Sequence, residues 1–374
     1  MTSIVNLVTR KLIIALVLYK IVFFLSAFIV LDLVPLENRS FDLVPWPSED
    51  ERTLIKSFAA WDGANYLMLS KTGYHKNSPQ CAFYPLWPFL IMIFSPLTGG
   101  NLFLAGIFLA NILSFAGILL FHHFVTTFHD DATADLSVLF LLAFPGAIFF
   151  SFIYTEALFF LLIILFFLYL LRRNYAGAAL IGFLLPLTKA IGVFCLCPLV
   201  WHLLRTKERW TKFWACSGPL LGYLAYFVVM YAFTGDPFDG FAAQQHFPNQ
   251  PSIGNIVDIS GFLTALFTPS ELHGMTNSIL DRFFFVICAY CLFTIARLNS
   301  TYFVYAMFVG IVPAMSSWFL SYSRHVMICF PMFIVLALAL REERLWLIRA
   351  AIVLLLGVLQ ICFLILYLNC YWVA

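Results

Sequence analysis

YAGAALIGFLLPLTKAIGVFCLCPLVWHLL, residues 175–204, is the stretch on which the architecture turns. Its thirty residues exceed one bilayer crossing of ~20 and fall short of two. Gly182, Pro186 and Lys189 interrupt it, and a proline inside a helix removes an amide donor and crowds the preceding turn. Arg172 and Arg173 stand before it; Arg205, Lys207, Arg209 and Lys212 stand after it. Short loops rich in Lys and Arg stay cytoplasmic. Both flanks are cytoplasmic only if the segment crosses twice, with Thr188 and Lys189 at the outer turn. Each leg then has about fifteen residues rising ~1.5 Å apiece, less than a ~30 Å hydrocarbon core. Local thinning or a re-entrant hairpin buried in protein must supply the difference.

The rest of the chain agrees with a membrane setting. Of 374 residues, 63% are hydrophobic and 18% aromatic, while only 11% are charged. A soluble domain carries about 25% charged residues, so the apolar excess has no water-soluble home and is enough for about ten or eleven crossings. Runs near Leu12–Leu33, Leu102–His122, Leu136–Phe150, Ala157–Leu171, Phe213–Phe233, Ile279–Ala296, Tyr302–Leu320, Val326–Leu340 and Ala350–Tyr371 join the double crossing to make eleven. The first run follows Arg10 and Lys11, is too long for a signal-peptide core, and reads as a retained anchor. A net charge of +2 leaves no basic field for nucleic acid. The nine cysteines lack the paired spacing of a zinc site or a disulfide framework.

The expected fold class is therefore an all-α integral membrane protein, a multi-pass helical bundle spanning residues 1–374 as one domain. Two outer loops stand out. The first, 32–101, has a charged stretch from Glu49 to Lys56, an expected interfacial helix around Phe58–Lys71, and the run CAFYPLWPFL. The second, 234–277, opens with TGDPF and continues with FAAQQHFPNQP.

Polar residues gather on that same predicted face. Asp62, between Trp61 and Gly63, fits two roles: a helix cap beside an interfacial tryptophan, or a general base taking the proton of an attacking hydroxyl. Gly63 would let a substrate approach the backbone. Glu156 opens a helix after Thr155, where the dipole favours a carboxylate. Lys189 lies in an apolar run, costly unless it snorkels or serves a function. Arg324 and His325 head a helix on the outer side, against the positive-inside trend, and an arginine fork matches phosphate oxygens. The set Lys189, Arg324 and His325 suits the phosphate of a lipid, with Asp62 serving an acceptor and no metal or cofactor required. Asp236, Gln244 and Gln245 suit sugar hydroxyls, although Gly-Asp-Pro is also an ordinary turn.

At these residues the chain resembles the second mannosyltransferase of glycosylphosphatidylinositol (GPI) anchor assembly, the PIG-V-like family, with its bacterial relatives. The resemblance rests on WDGANYLMLSKTGYHKNSPQCAFYPLWP at 61–88, Tyr154-Thr155-Glu156, LTKAIG around Lys189, TGDPF with the following glutamines, and SRHVMICFP at 323–331. It runs from about Phe58 to Pro331. Gly63, Ala64 and Asn65 replace the His or Glu of many relatives, and Lys189 stands where arginine is frequent. The resemblance implies a GT-C glycosyltransferase that takes mannose from a polyprenyl-phosphate donor, such as dolichyl phosphate mannose, and passes it with inversion to a glycolipid, α-1,6 by analogy. The lipid-linked donor is a co-substrate. Family roles fall on Asp62 as catalytic carboxylate and on Glu156, Lys189, Asp236, Arg324 and His325, with Trp61 expected among the substrate-binding residues. Membrane lipid is the surrounding partner, and a small partner subunit is left open. The compact chain points toward a bacterial inner-membrane enzyme with a periplasmic site; a eukaryotic member would face the endoplasmic reticulum lumen.

Three rivals remain. A secondary transporter would place its charges near the midplane in broken helices and show repeat symmetry. A transferase of another sugar onto a bacterial cell-envelope lipid or polysaccharide shares the same motifs. A noncatalytic scaffold leaves the outer-face polar residues without a common task.

Overall fold

Continuous apolar sequence with few helix breakers gives long helices, and prolines set where they stop. The computed structural model describes residues 2–33, 57–248, 250–275 and 277–373. The charged stretch Glu49–Lys56 lies outside them. The described residues are helical, with one isolated bridge, Glu271 to Ser278, and no β-strand. This is the all-α membrane bundle expected from composition.

In chain order the helices are α1 (Thr2–Leu33), α2 (Asp62–Thr72), α3 (Leu86–Phe94), α4 (Leu102–Phe128), α5 (Asp131–Ala143), α6 (Glu156–Leu171), α7 (Tyr175–Thr188) and α8 (Leu196–Arg205). They continue with α9 (Ser217–Thr234), α10 (Asp239–Ala243), α11 (Ile259–Phe267), α12 (Ile279–Leu298) and α13 (Ser300–Gly310). The last are α14 (Val312–Ser317), α15 (Tyr322–Met327), α16 (Phe330–Leu340) and α17 (Trp346–Leu368). Among the described residues six helical segments are long and apolar enough to cross a membrane by themselves: Arg10–Leu33, Leu102–Phe128, Trp210–Thr234, Ile279–Leu298, Ser300–Ser317 and Glu343–Leu368. Shorter apolar helices, α6, α7 and α16 among them, pack between these.

The segment 175–204 divides as its breakers suggest. α7 ends at Thr188, Lys189 takes an extended conformation, and a 3-10 turn, Ala190–Cys195, leads into α8. Three other runs are interrupted where continuous helices were expected. The run 136–150 begins earlier, with Asp130 accepting from the Thr133 amide at 2.8 Å, and stops at Ala143. Pro145 then imposes an extended Phe144 and a 3-10 turn, Pro145–Phe150. The run 302–320 breaks at Ile311 before Pro313, and 326–340 breaks before Pro331. In each case a proline removes a ladder donor and fixes a turn. Of the span Phe58–Lys71, where a helix was expected, α2 forms from Asp62 onward.

α6 is buried along nearly its whole length and forms the centre of the bundle. An apolar helix buried on all sides belongs in a core, and α4 and α7 flank it. α7 and α9 meet backbone to backbone. A Cβ on Gly218 or Gly222 would run into the carbonyls of Ala179 and Phe183, so the small-xxx-small spacing permits the close approach that van der Waals packing of membrane helices requires. Phenylalanine fills the remainder: Phe330 sits edge-on to Phe121, Phe124 and Phe167 with centroids 5.0–6.2 Å apart. Leu18, Val22 and Phe28 on α1 and Leu354 on α17 are exposed, as lipid-facing residues would be. Lys20, deep in α1, donates to the Phe150 carbonyl (3.0 Å) and Ser151 Oγ (2.9 Å), which satisfies a charge that lipid alone would not tolerate.

Candidate active site

α2 begins with an unusual backbone. Trp61 precedes it at φ 56°, ψ −118°, a region that bulky residues rarely occupy. Its indole donates to the Tyr371 carbonyl at 3.3 Å and meets Trp372 edge to face at 4.9 Å. No side chain caps α2. Asp62, its first residue, instead turns its carboxylate toward Arg324, whose Nη1 donates to Asp62 Oδ2. The capping role open to Asp62 in the sequence is thus not the one adopted. Gly63 differs from expectation as well: it is buried, a Cβ there would stand 3.5 Å from the Ile153 carbonyl oxygen, and it is absent from the cavity wall.

Glu156, first residue of α6, is completely buried. Lys189 Nζ donates to its Oε1, and Arg324 Nε lies 3.3 Å from the same oxygen without hydrogen-bond alignment. Thr155 does not cap the helix; its Oγ1 is 3.5 Å from Glu156 Oε2. The four groups form one chain, Lys189 to Glu156 to Arg324 to Asp62, with two charges of each sign. Buried ions persist when paired in this way, and removal of one member strands its partner. The rings of Tyr154 and Phe149, with centroids 5.3 and 5.8 Å from the Arg324 guanidinium carbon, cover it. Burial by itself would lower the Arg324 pKa, but Asp62 and Glu156 outweigh it and hold the guanidinium more firmly charged than usual. His325 responds in the opposite sense. Burial, then the Lys189 and Arg324 charges, push its imidazole well below the ordinary value, so it is neutral near pH 7.

These side chains line a cavity of about 390 Å³. Asp62, Lys189, Arg324, His325 and Gln244 reach it, together with Tyr66, Tyr84, Tyr226 and Trp372. Glu156 stands behind the wall, reached through its two cations. Trp61 is half-buried and supports Trp372 rather than lining the space itself. Asp236 and Gln245 are exposed and do not line the cavity. Asp236 accepts from the Phe238 amide at 2.8 Å, the turn that Gly-Asp-Pro permits.

Several contributors were not legible in advance. Asp239, three residues beyond Asp236, is buried and accepts from the Asn77 amide at 3.0 Å and Cys81 Sγ at 3.6 Å. That ties α10 to the 3-10 turn Pro79–Ala82. Gly240 follows because a Cβ there would collide with the Tyr226 hydroxyl. The adjacent Asp-Gly was the available signal. Tyr84 and Tyr226 stack with centroids 4.5 Å apart, a pairing across distant segments that no local pattern announces. Among the described residues no three His, Cys, Asp or Glu side chains gather as metal ligands would.

A second, larger space of about 730 Å³ lies among some of the same helices. It is a groove walled by apolar residues of α2, α3, α7 and α9, with Leu69, Phe89, Leu184, Leu187, Val229 and Phe233 among them. α2, α7 and α9 contribute to both spaces: Tyr66 and Leu69, Thr188 and Leu187, Tyr226 and Val229 occupy neighbouring positions.

The molecule is thus a multi-pass helical bundle in which a charged cavity and an apolar groove draw on the same three helices. The fold is similar to that of ArnT from Cupriavidus metallidurans, solved bound to undecaprenyl phosphate, with a TM-score of 0.50 and 16% identity. The match covers 90% of this chain and 62% of ArnT, so the chain spans under two thirds of that protein's length. The Archaeoglobus fulgidus oligosaccharyltransferase aligns with a TM-score of 0.45 and 12% identity, over 93% of this chain and 52% of that one. No curated protein sequence matches. The profile described as Mannosyltransferase (PIG-V) matches residues 6–205, more than half of the chain, and the chain belongs to that family. The match includes Asp62, Glu156 and Lys189; Arg324 and His325 lie beyond it.

Proposed function

We propose that this protein transfers mannose from a polyprenyl-phosphate donor to a hydroxyl of a glycolipid acceptor, with inversion at the sugar carbon. The observation that carries the reading is the buried Lys189–Glu156–Arg324–Asp62 chain in and behind the wall of a cavity whose helices also wall an apolar groove. The polyprenyl chain occupies the groove, and its phosphate meets Arg324 and Lys189. ArnT, whose structure contains undecaprenyl phosphate, supports a carrier of this class, and membership of the mannosyltransferase family supports the sugar.

In the transfer, the acceptor oxygen forms a bond to the sugar C1 as the bond from C1 to the phosphate oxygen breaks, and that oxygen keeps the electron pair. Asp62 accepts the hydroxyl proton. Arg324 and Lys189 stabilise the charge that grows on the leaving phosphate, in a site where low polarity strengthens each interaction. His325, neutral, offers one hydrogen-bond donor rather than a third cation. Gln244 contacts sugar hydroxyls. Since Arg324 is shared between two carboxylates, an arriving phosphate competes with Asp62 for it and so loosens the base as the donor seats. The lipid-linked sugar serves as co-substrate, and the α-1,6 linkage follows the family analogy. The site faces the periplasm of a bacterial inner membrane, or the lumen of the endoplasmic reticulum in a eukaryote.

The test is mannose transfer by the purified protein in liposomes containing synthetic polyprenyl-phosphate mannose and a glycolipid acceptor. Product formation by wild type and its loss in Asp62→Asn support the reading. Turnover of a different polyprenyl-phosphate sugar in place of mannose would redirect the donor assignment. Uptake of sugar into the vesicles with no transferred product would favour a transporter.

A further inference from the structure

We propose that Asp281 is a positioning residue for the transfer reaction: by accepting the Ser323 amide it sets the register from which Arg324 reaches Asp62 and Glu156. The inference rests on the reading of Arg324 as the phosphate-binding cation and concerns a residue outside the cavity.

Arg324 sits in α15, six residues long, too short to hold its place by its own hydrogen bonds. The chain entering it is strained: Trp318, Phe319 and Ser321 have φ of 56°, 68° and 59°. Non-glycine residues in that region persist where their surroundings over-determine them. Ser321, at the N-cap, makes no side-chain cap, and the first amides of a helix lack internal acceptors. Asp281 supplies the missing acceptor from another helix. Its Oδ1 takes the Ser323 amide at 2.8 Å, and the carboxylate is itself buried in the first turn of α12. The neighbouring Arg282 lies over the Phe319 ring at 4.7 Å and donates to the Ala265 and Ser278 carbonyls. One turn of α12 therefore grips the strained segment at two points.

The opposite side of Ser323 is closed as well. A Cβ on Gly146 would stand 3.0 Å from the Ser323 carbonyl, so the turn Pro145–Phe150 presses on the residue whose amide Asp281 holds. A side chain at Gly146 would require the Ser323 carbonyl to give way slightly. The same turn carries Phe149, which covers the Arg324 guanidinium. Displacement of Ser323 from either side tilts Arg324 away from two carboxylates at once.

The experiment uses the full chain in liposomes and measures kcat and the donor and acceptor KM with polyprenyl-phosphate mannose, for wild type, Asp281→Asn, Asp281→Ala, Gly146→Ala and Arg324→Ala. Asn keeps an oxygen acceptor for the amide, and Asp281→Asn is expected within about threefold of wild type, whereas Asp281→Ala loses about tenfold or more in kcat/KM for the donor. Donor KM rises while acceptor KM stays unchanged, a split that loss of folded protein does not produce. Gly146→Ala, which leaves every charge in place, shifts the same constant in the same direction. Wild-type kinetics for Asp281→Ala, or equal loss in Asp281→Asn and Asp281→Ala, would overturn the positioning role. If Asp281→Ala does not fold, near-normal Asp281→Asn with impaired Gly146→Ala supports the role, and any other result for that pair refutes it. Undiminished donor affinity in Arg324→Ala would instead remove the phosphate reading itself, which separates the two failures.

Discussion

Arg324 donates through Nη1 to Asp62 Oδ2 although 262 positions separate the two residues in the chain. The contact joins the start of α2 to the short α15 and closes a chain of four charges whose inner members are withdrawn from solvent. It also gives the two carboxylates different circumstances. Glu156 is enclosed with both cations, while Asp62 keeps a face on the cavity.

That difference predicts different consequences for removing each charge. Asp62→Asn preserves shape and abolishes proton acceptance. It is expected to lower kcat for mannose transfer by roughly 100- to 10,000-fold, the range of general acid–base contributions, with a smaller fall in thermal midpoint than Glu156→Gln, because Arg324 keeps Glu156 as a counter-charge. Turnover equal to wild type would show that another group takes the proton.

Glu156→Gln leaves Lys189 and Arg324 without their shared counter-charge. Breaking a buried pair from one side costs about 3–5 kcal/mol, so this variant is expected to lose stability before it loses chemistry, read as a depressed thermal midpoint in detergent. Glu156→Gln with Lys189→Met removes the stranded ammonium as well, and should recover part of the midpoint. If the double variant melts lower than Glu156→Gln, the pairing is not what stabilises this wall.

The apolar groove predicts an effect confined to the donor. Ala225 lines it from α9, and Ala225→Phe fills space that the polyprenyl chain is proposed to occupy. Donor KM should rise by about tenfold, equivalent to ~1.4 kcal/mol of lost binding, with acceptor KM unaltered. A donor with a much shorter lipid should be less sensitive to the substitution; equal sensitivity would place the lipid elsewhere.

The pH dependence of stability follows from His325. Burial first, with Lys189 and Arg324 adding to it, lowers its pKa in the folded protein. The unfolded chain therefore binds a proton near the ordinary value of about 6.5 that the folded chain refuses, and stability contributed by this group falls as pH drops below that value. His325→Gln should show a smaller fall in thermal midpoint between about pH 7 and 5 than wild type. An equal or steeper fall would mean that the imidazole is protonated in the folded state.

The membrane bundle was legible in the sequence because hydropathy is additive along the chain. Sixty-three per cent hydrophobic content and a few charged interruptions dictate helices in lipid whatever their arrangement. The break at Lys189 was legible for a similar local reason, since Pro186 and a lone ammonium mark it. So were Asp62, Glu156, Lys189 and Arg324 as exceptions, because a charge in an apolar chain needs a partner. Which partners they chose was not. The stacking of Tyr84 on Tyr226 and the burial of Asp239 in place of Asp236 depend on contacts between segments remote in sequence, whereas the helix ends at Ala143 and Gly310 follow locally from Pro145 and Pro313.

The sequence by itself determined that this chain folds as apolar helices and carries ionisable groups that lipid cannot leave alone, because the transfer cost of each residue is a property of that residue. Only the tertiary structure decided that Arg324 lies between Asp62 and Glu156, that Gly63 faces Ile153, and that Asp281 holds the backbone beside Arg324. Ion pairing and hydrogen bonding act over a few ångströms, and the distances that matter exist only after the helices have packed.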